Sequence, residues 1–479
     1  MGMLFVFRLW FLHFVVVGAA TSRNVAAEID RCHSDDNSLL QRSIVDGSGA
    51  ASSRSRTEDV RIKTEGQDGR QSESGRLMAV YAISRHTVKS VEYDFSSVTD
   101  VVLDQDFGTP KSGMATPHGL EYARLVGAYY RKLYGAELFG STSPCEPGSD
   151  AYCASLANGV AMLADTDSRD IETGTAWISG FAPSCSQHIS VRADDLMHEL
   201  LNEGKPDMLY PDCTYADEEE VSGLYGSGAP DAWIRTNLVA EYEYLNKLIP
   251  LKASACPEHE QNCTLIDLPN SWKGGYWTTW EGSWSDAGHM AVVLQTQFVN
   301  GNPVYMNMTE KDITFIYRIA TEVWMTYKNS INARRFAGPN YAAFILSEMA
   351  KIGETPRITW LMAHDVNVAF AAELLNANLN TPSYRTSGGN PIFLGAVILE
   401  VRDLLGLGVC VQAFQQGNTM EQIRTLNVTE MLRSQIPISW CSAPLNCPIG
   451  EFYNYTYNWI NMMCAAPSLT SRLEKNPKF

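Results

Sequence analysis

Residues Leu77–Ser90 read LMAVYAISRHTVKS and carry the strongest fold signal in the chain. The stretch opens as a continuous apolar run, Leu77–Ile83, that contains β-branched and aromatic residues. Such a run is typical of a strand that is buried on both faces of a parallel sheet. It ends abruptly in Ser84, Arg85 and His86, and open α/β sheets bind ligands at the carboxyl ends of their strands. The stretch therefore predicts an α/β fold with a polar site at the end of this strand.

Arg85 and His86 are the first candidate site residues. Arginine presents a planar fork of donors that matches phosphate oxygens, and histidine acts as a nucleophile or an acid–base group near neutral pH. Side by side, the two residues indicate a nucleophile that already lies in an anion-binding site. The alternative is a strand end with two solvated polar side chains, because short motif matches are often false positives.

A second apolar run, at residues 159–164, also ends in a charged turn, and a helix is predicted to follow it. Arg169 is the candidate anion ligand here, and Asp165 and Asp167 would orient its guanidinium through charge-assisted hydrogen bonds. One alternative is a salt-bridged turn without a function. The other is a metal site, and it is the weaker of the two because no histidine or cysteine beside the carboxylates completes a ligand set.

The third run of this kind, Arg357–Ala363, is followed directly by His364 and Asp365. Taken alone, these two residues also suit a hydrogen-bonded turn. However, three separate strands now each deliver Arg, His or Asp at their carboxyl ends. This convergence predicts one functional site at one edge of the sheet.

Composition divides the chain into segments. Residues 1–20 hold one basic residue, a short apolar run and small residues, which is typical of a secretory signal peptide; an uncleaved signal anchor is the alternative. Residues 21–76 are too poor in large apolar side chains to form a core, so we expect a disordered or pro-segment tail. We predict an α/β domain in two parts, at residues 77–212 and 326–465, around a mainly helical cap at residues 213–325, with a tail at residues 466–479.

Cysteines and charge restrict the class of protein. Eleven cysteines behind a signal peptide indicate a disulfide framework, and the absence of any C-x-x-C pair argues against a zinc site. Sequons at Asn262, Asn307, Asn427 and Asn454 also fit secretion. The formal charge of −17 argues against nucleic acid and anionic membranes as partners. We therefore expect the mature protein to be secreted or to lie in the secretory-pathway lumen, without membrane attachment. We make no prediction for its oligomeric state.

Together these motifs resemble those of the histidine acid phosphatases. Residues 84–91, SRHTVKSV, are similar to the nucleophile motif R-H-G-x-R-x-P, and His364-Asp365 is similar to the H-D motif. Residues 164–185 resemble the family segment that carries another phosphate-binding arginine, and Thr116-Pro117-x-Gly119 also matches, where Thr suits a helix N-cap and Pro the first helical position. The likeness is greatest to the periplasmic phytase and glucose-1-phosphatase branch. It covers most of residues 77–465 and is weak across the cap.

The resemblance implies a mechanism that the residue types permit. His86 would attack phosphorus and carry a phosphohistidine, and Asp365 would protonate the leaving oxygen and then help to activate water. The phosphoryl oxygens would be held by the remaining site residues, Arg85, Lys89, Arg169 and His364. The implied substrate is a small-molecule phosphomonoester, and the family needs no metal and no cofactor.

Three positions depart from the family motif. Thr87 stands in place of Gly, Lys89 in place of the second Arg, and Val91 in place of Pro. Lysine keeps the charge but loses the bidentate fork, and valine gives up the fixed φ of proline, so phosphate binding should weaken. A second hypothesis therefore remains open: a catalytically impaired homologue that binds phosphorylated ligands or glycans without turnover. The sequence also leaves the substrate open among phytate, sugar phosphates and nucleotides.

The resemblance also implies a set of disulfides. The pairs are Cys213–Cys464, Cys256–Cys263 and Cys441–Cys447, with Cys185 joined to Cys145 or Cys153, while Cys32 and Cys410 are the candidate free thiols.

Overall fold

A computed structural model describes most of the chain that follows the predicted tail. The described residues are 75–109, 111–140, 150–193, 230–257, 263–272, 280–329, 331–352, 357–377, 392–461, 465 and 467–473. All of them belong to one compact unit, Asp68–Phe479. The predicted signal peptide and residues 21–74 of the predicted tail lie outside the described residues.

The described part of the chain contains both strands and helices. In order they are β1 (Arg76–Arg85), α1 (Pro117–Phe139), α2 (Asp150–Gly159), β2 (Val160–Ala164), α3 (Ser168–Phe181), β3 (Val191–Arg192), α4 (Asp231–Asn237), α5 (Val239–Leu248), β4 (Asn270–Trp272), β5 (Trp280–Gly282), α6 (Ser283–Val299), α7 (Glu310–Asn329), α8 (Ile331–Met349), β6 (Arg357–Ala363), α9 (Asp365–Leu374), β7 (Ala396–Leu404), β8 (Gly408–Gly417), α10 (Met420–Arg424), β9 (Leu432–Ile436), β10 (Cys447–Pro448), α11 (Ile449–Asn461) and α12 (Pro467–Thr470).

The main sheet has eight strands in the order β10-β8-β7-β1-β6-β2-β3, with β9 paired to β8. Strands β1, β6, β2 and β3 run parallel to one another. On the other side of β1, strands β7, β8, β9 and β10 pair in antiparallel fashion. The predicted α/β class, with a central sheet flanked by helices, is therefore confirmed. The antiparallel side is built by the last part of the chain.

Strand β1 is apolar from Leu77 to Ile83 because this part of it is covered on both faces. Val80 and Ala82 pack into a core that contains side chains of α1, α3, α5 and α6. Tyr81 and Ile83, which point to the opposite face, pack into a second core with side chains of α8, α9 and α11. This two-sided burial removes the polar alternation that a half-exposed strand would show, and it explains the uninterrupted run in the sequence.

Helices α1 and α3 lie against each other at two glycines. A Cβ atom added at Gly127 would lie 2.0 Å from the carbonyl oxygen of Trp177, and one added at Gly180 would lie 1.7 Å from the carbonyl oxygen of Arg124. Neither backbone could remain in place at such a distance. The two glycines thus allow α3, which carries Arg169, to approach α1 closely.

We expect Gly180→Ala to lower the free energy of unfolding by about 1–3 kcal/mol, the usual cost of overpacking a close contact. A lower midpoint in urea unfolding would show the effect. Gly450→Ala in α11 is the matched control, because a Cβ atom there would meet nothing within 4 Å. Equal midpoints for the two variants would contradict the close contact between the helices.

The region predicted as a cap is mainly helical in its described part. Two of its helices, α4 and α5, meet at Leu238. The tryptophans at 280 and 284 are buried and contribute large apolar area to the core. Residues 213–229 lie outside the described residues, so the cap boundaries at 213 and 325 stay a prediction.

The disulfides among the described residues agree with those that the resemblance implied. Cys153–Cys185, Cys256–Cys263 and Cys441–Cys447 are bonded, with Cα atoms 5.1, 5.6 and 5.4 Å apart. Cys153 is therefore the partner of Cys185. Cys410 is a buried free thiol, as predicted. The remaining cysteines of the prediction, Cys32, Cys145, Cys213 and Cys464, lie outside the described residues.

A search of the described helices finds none with both the length and the apolar character that a membrane span requires.

Candidate active site

The register of the parallel strands brings the predicted site residues to one edge of the sheet. Arg85, the last residue of β1, is paired with Ala363, the last residue of β6, and Ala164 at the end of β2 is paired with Met362. Two backbone hydrogen bonds extend this pairing by one residue beyond the ends of β1 and β2. The His86 N–H donates to the Ala363 carbonyl at 2.7 Å, and the Asp165 N–H donates to the Met362 carbonyl at 3.1 Å.

His86 is 3% exposed, and a backbone contact determines its tautomer. The ring Nδ1 lies 2.7 Å from the carbonyl oxygen of Thr87. Because a carbonyl can only accept, Nδ1 carries the proton, and in the neutral ring Nε2 carries the lone pair. His86 therefore has the tautomer that a nucleophilic Nε2 requires.

The surroundings of His86 also keep it uncharged. Its pKa is held well below the usual value, first by burial and then by nearby positive charges on Arg169, Arg85 and Lys89 and by His364. Burial disfavours the imidazolium, and each neighbouring cation repels it. A histidine in this setting stays neutral, and therefore nucleophilic, in mildly acidic solution.

Thr87, the first departure from the motif, is buried and bonded on both sides. Its N–H donates to Thr173 Oγ1 at 3.1 Å, and its Oγ1 donates to the Gly119 carbonyl at 2.6 Å. Gly119 itself lies so close to the loop that a Cβ atom there would be 2.6 Å from the Val88 carbonyl oxygen. The threonine thus attaches the loop that carries His86 to α3 and to the first turn of α1, and the glycine permits that approach.

The other two departures lie further along the same loop. Lys89 is half-buried and its backbone forms an isolated antiparallel bridge with Ala115. Its charge is one of the causes that lower the pKa of His86, which indicates that the ammonium acts on the imidazole. Val91 is 5% exposed and packs in the apolar core.

Arg85 is held by three side chains. Asp365 Oδ2 lies 3.2 Å from its Nη2, and the ring of Phe393 lies under the guanidinium at 4.3 Å. Arg85 also donates a hydrogen bond to the Tyr317 hydroxyl, which keeps its own proton because burial raises the Tyr317 pKa to about 12. Sequence reasoning missed Phe393 and Tyr317, since neither lies in a motif and each looks like an ordinary core aromatic.

Arg169, on the first turn of α3, contacts His364, another of the predicted phosphate-binding residues. Its Nη2 donates to His364 Nδ1 at 3.1 Å and pairs with Asp167 Oδ2 at 2.6 Å. On the other side of the ring, His364 Nε2 donates to Asp165 Oδ2 at 3.1 Å. Burial is the main cause that lowers the His364 pKa, although the hydrogen bond to Asp165 opposes it.

Helix α9 starts at the site and presents two candidate residues together. His364 is its N-cap, and the His364 N–H is satisfied by Asn367 Oδ1 at 3.0 Å. Asp365 is the first helical residue, a position where the helix dipole favours a carboxylate. The rings of His86 and His364 lie 5.6 Å apart, edge to face. The candidate residues that follow the first and third strands are thus brought together at one place.

A group of carboxylates borders this network. Oxygen atoms of Asp167 and Asp170 and a ring nitrogen of His364 lie within 4.8 Å of one another, a spacing that a metal ion would accept. The guanidinium of Arg169, however, lies 2.6 Å from Asp167 and 3.7 Å from Asp170. An arginine at this place supplies the positive charge that the carboxylates require. The chemistry of the group is therefore that of an arginine-centred ion-pair network, and the metal-free site stays a prediction.

No family model matches the chain. Among curated proteins, the phytase AppA of Escherichia coli (strain K12) is 30% identical over 120 residues, which is 25% of this chain and 26% of that protein. The match thus spans about a quarter of the relative's length.

Solved structures show the fold over almost the whole of their chains. The phytase of Citrobacter braakii is 19% identical, with a TM-score of 0.67 over 82% of this chain and 99% of that one. The phytase of Hafnia alvei is 18% identical, with a TM-score of 0.66 over 83% and 100%. The phytase of Klebsiella sp. ASR1 is 17% identical, with a TM-score of 0.61 over 84% and 96%. The chain therefore has the fold of these phytases, which is the histidine acid phosphatase fold that the resemblance predicted.

Proposed function

We propose that the chain is a secreted acid phosphatase that hydrolyses phosphomonoesters through a phosphohistidine on His86. One observation supports this most directly: a buried, neutral His86 with its lone pair on Nε2 lies among the charges of Arg85, Arg169 and Lys89. A neutral nucleophile surrounded by cations is what attack on a phosphate dianion requires. The similarity to phytases supports the same reaction class.

The proposed reaction has two steps. In the first, His86 Nε2 forms a bond to phosphorus, the bond to the ester oxygen breaks, and Asp365 gives that oxygen its proton. In the second, Asp365 takes a proton from water, the water oxygen attacks phosphorus, and inorganic phosphate leaves with His86 restored. The positive charge of the site opposes the charge that develops on the phosphoryl oxygens, and the groups in this role are Arg85, Lys89, Arg169 and His364.

Features of the described chain support the secreted location. Three disulfides are bonded, and such bonds persist in oxidising compartments. The sequon residues Asn307, Asn427 and Asn454 are exposed, so each is accessible for glycosylation, while Asn262 lies outside the described residues.

The second candidate is an impaired homologue that binds phosphorylated ligands or glycans without turnover. The replacements at Lys89 and Val91 favour it, whereas the bonded Thr87 does not, because its contacts attach the nucleophile loop to α1 and α3. Assaying p-nitrophenyl phosphate between pH 4 and pH 8 separates the candidates. Turnover that is lost in His86→Ala supports the phosphatase. Phosphate binding without turnover across this range would favour the impaired homologue.

Lys89 should influence the acidic limb of the activity profile. Lys89→Met removes a cation that lowers the pKa of His86, so that pKa rises and His86 becomes protonated at a higher pH. We therefore expect the acidic limb of kcat/KM to move to higher pH, and inhibition by inorganic phosphate to weaken about tenfold. Lys89→Arg should keep the limb in place and tighten phosphate inhibition.

The control for charge alone is Lys132→Met, an exposed lysine on α1. It should leave both the acidic limb and the phosphate inhibition constant unchanged. Identical profiles for Lys89→Met and Lys132→Met would show that Lys89 does not act on the site.

A further inference from the structure

A cleft with a volume of about 500 Å³ opens beside the nucleophile loop. One wall is formed by residues 90–94, which begin directly after Lys89, and the other by residues of the segment 105–112. Gln105 joins the walls: the Tyr93 N–H donates to its Oε1 at 2.8 Å, and its Nε2 donates to the Tyr93 carbonyl at 2.9 Å. The cleft therefore lies along the segment that continues the loop carrying His86.

The charge of the proposed general acid, Asp365, reaches Tyr93 in the wall of this cleft. After burial, the second cause that raises the Tyr93 pKa is the negative charge of Asp365. Tyr317, which is bonded to Arg85, is in turn influenced by both Asp365 and Tyr93. Residues 90–94 continue the loop that carries His86, so a leaving group that takes its proton from Asp365 and extends along this loop would meet Tyr93 and the cleft.

The walls of the cleft carry more negative than positive charge. Three exposed carboxylates, Glu92, Asp94 and Asp106, line it together with one exposed ammonium, Lys111. Hydrogen bonds from Ser96 are the main cause that lowers the pKa of Asp94, so this carboxylate stays charged in acid. Lys252 is a second ammonium that acts on Asp94, and it donates to the Ser96 carbonyl.

The helix packed against this wall adds no positive charge. His289 on α6 stacks on Tyr93 with ring centroids 4.1 Å apart, and burial lowers its pKa to about 4, so it is neutral at higher pH. Asp286 lies one turn before it on the same helix, with a pKa that burial raises to about 6. A leaving group in the cleft is therefore exposed mainly to negative charge.

We propose that this cleft selects phosphomonoesters whose leaving group carries an ammonium group, such as amino-alcohol phosphates, and disfavours polyphosphorylated substrates. An ammonium beside Glu92 and Asp94 is attracted, whereas the further phosphates of a polyanion are repelled. The inference rests on the proposed phosphatase function and specifies its substrate class. It predicts a difference from the phytase of Hafnia alvei, which has been solved in complex with myo-inositol hexakis sulphate.

The test compares kcat/KM for three substrates at one mildly acidic pH: phosphorylethanolamine, the neutral analogue glycerol 2-phosphate, and inositol hexakisphosphate. Coulomb attraction between unit charges about 6 Å apart in water corresponds to about a threefold preference per carboxylate. We expect phosphorylethanolamine to be preferred over glycerol 2-phosphate by about three- to tenfold, and inositol hexakisphosphate to be the poorest of the three. Equal values for the first two, or a preference for the hexakisphosphate, would overturn the proposal.

Substitutions of the wall carboxylates test whether they cause the preference for the ammonium ester. Glu92→Gln and Asp94→Asn keep the shape of each side chain and should each lower the ratio of the first two substrates about threefold. Glu92→Lys should reverse the order and improve the hexakisphosphate. Asp100→Asn removes an exposed carboxylate of the same segment that does not line the cleft, so it should leave the ratio unchanged. An unchanged ratio in all the wall variants would also overturn the proposal.

A binding measurement separates this inference from the proposed function. Calorimetric titration of His86→Ala with phosphorylethanolamine and with glycerol 2-phosphate compares the binding affinities of the two esters without turnover. If the wild type hydrolyses none of the substrates, the phosphatase proposal fails. Tighter binding of the ammonium ester would then still support the cleft, and equal binding would overturn it.

Discussion

His86→Ala is expected to abolish phosphomonoester hydrolysis, with a loss of at least about 1,000-fold in kcat, because no other group can form the covalent intermediate. The fold should persist, since within the part of the chain that the structure describes the ring of His86 hydrogen-bonds only to the carbonyl of its own neighbour Thr87. The measurement is kcat for p-nitrophenyl phosphate, with the urea midpoint recorded for both proteins. Retained turnover would remove the proposed mechanism outright.

The covalent intermediate gives a second, independent measurement. Rapid acid-free quenching of the wild type with labelled substrate should leave phosphate on the protein that is stable in alkali and labile in acid, as a phosphohistidine is. His86→Ala should carry no such label. His188→Ala removes an exposed histidine instead, and it should retain both the label and the turnover. A label on His86→Ala would assign the nucleophile to another residue.

The sequence predicted the central strands of this fold because burial on both faces produces an uninterrupted apolar run. Strand β1 is apolar at every position from Leu77 to Ile83, and a polar residue ends β1 or directly follows β2 and β6: Arg85, Asp165 and His364. Parallel register then brings those ends together, as the pairing of Arg85 with Ala363 shows. The antiparallel side could not be predicted in the same way, because β7 carries Glu400 and Arg402 among its apolar residues and its sequence does not reveal which strand it pairs with.

The contacts that hold the site were less predictable than the residues that form it. Tyr317 and Phe393 contact Arg85 from segments more than 200 residues away in sequence, and no local pattern distinguishes them from core aromatics. The role of Thr87 also needed the structure. Its Oγ1 donates to the Gly119 carbonyl in α1, and its backbone N–H donates to Thr173 Oγ1 in α3. Such long-range pairing depends on the fold as a whole, which a single motif does not encode.

The pairing of Arg85 with Asp365 bears on how acid catalysis can be tested. Asp365 Oδ2 lies 3.2 Å from Arg85 Nη2, so the carboxylate has two possible roles: it can supply a proton, or it can only orient the guanidinium. A general acid matters in proportion to the basicity of the leaving group, whereas an orienting residue affects all substrates alike. Comparing two leaving groups in one variant therefore separates the roles.

Asp365→Asn is expected to slow an alkyl phosphate such as glycerol 2-phosphate by about 100- to 10,000-fold, the usual contribution of general acid catalysis. p-Nitrophenyl phosphate should lose much less, because p-nitrophenolate leaves with little need of a proton. Asparagine keeps the shape of the side chain and an oxygen that can accept from Arg85.

Asp165→Asn is the matched control for this second experiment. Asp165 accepts a hydrogen bond from His364 and would act only by orienting that ring, so its removal should slow both substrates by a similar factor. The decisive quantity is the ratio of kcat values for the two substrates, which should rise in favour of p-nitrophenyl phosphate in Asp365→Asn and stay constant in Asp165→Asn. If the ratio stays constant in both variants, Asp365 serves to hold Arg85, and the proton that the leaving oxygen takes must come from another group.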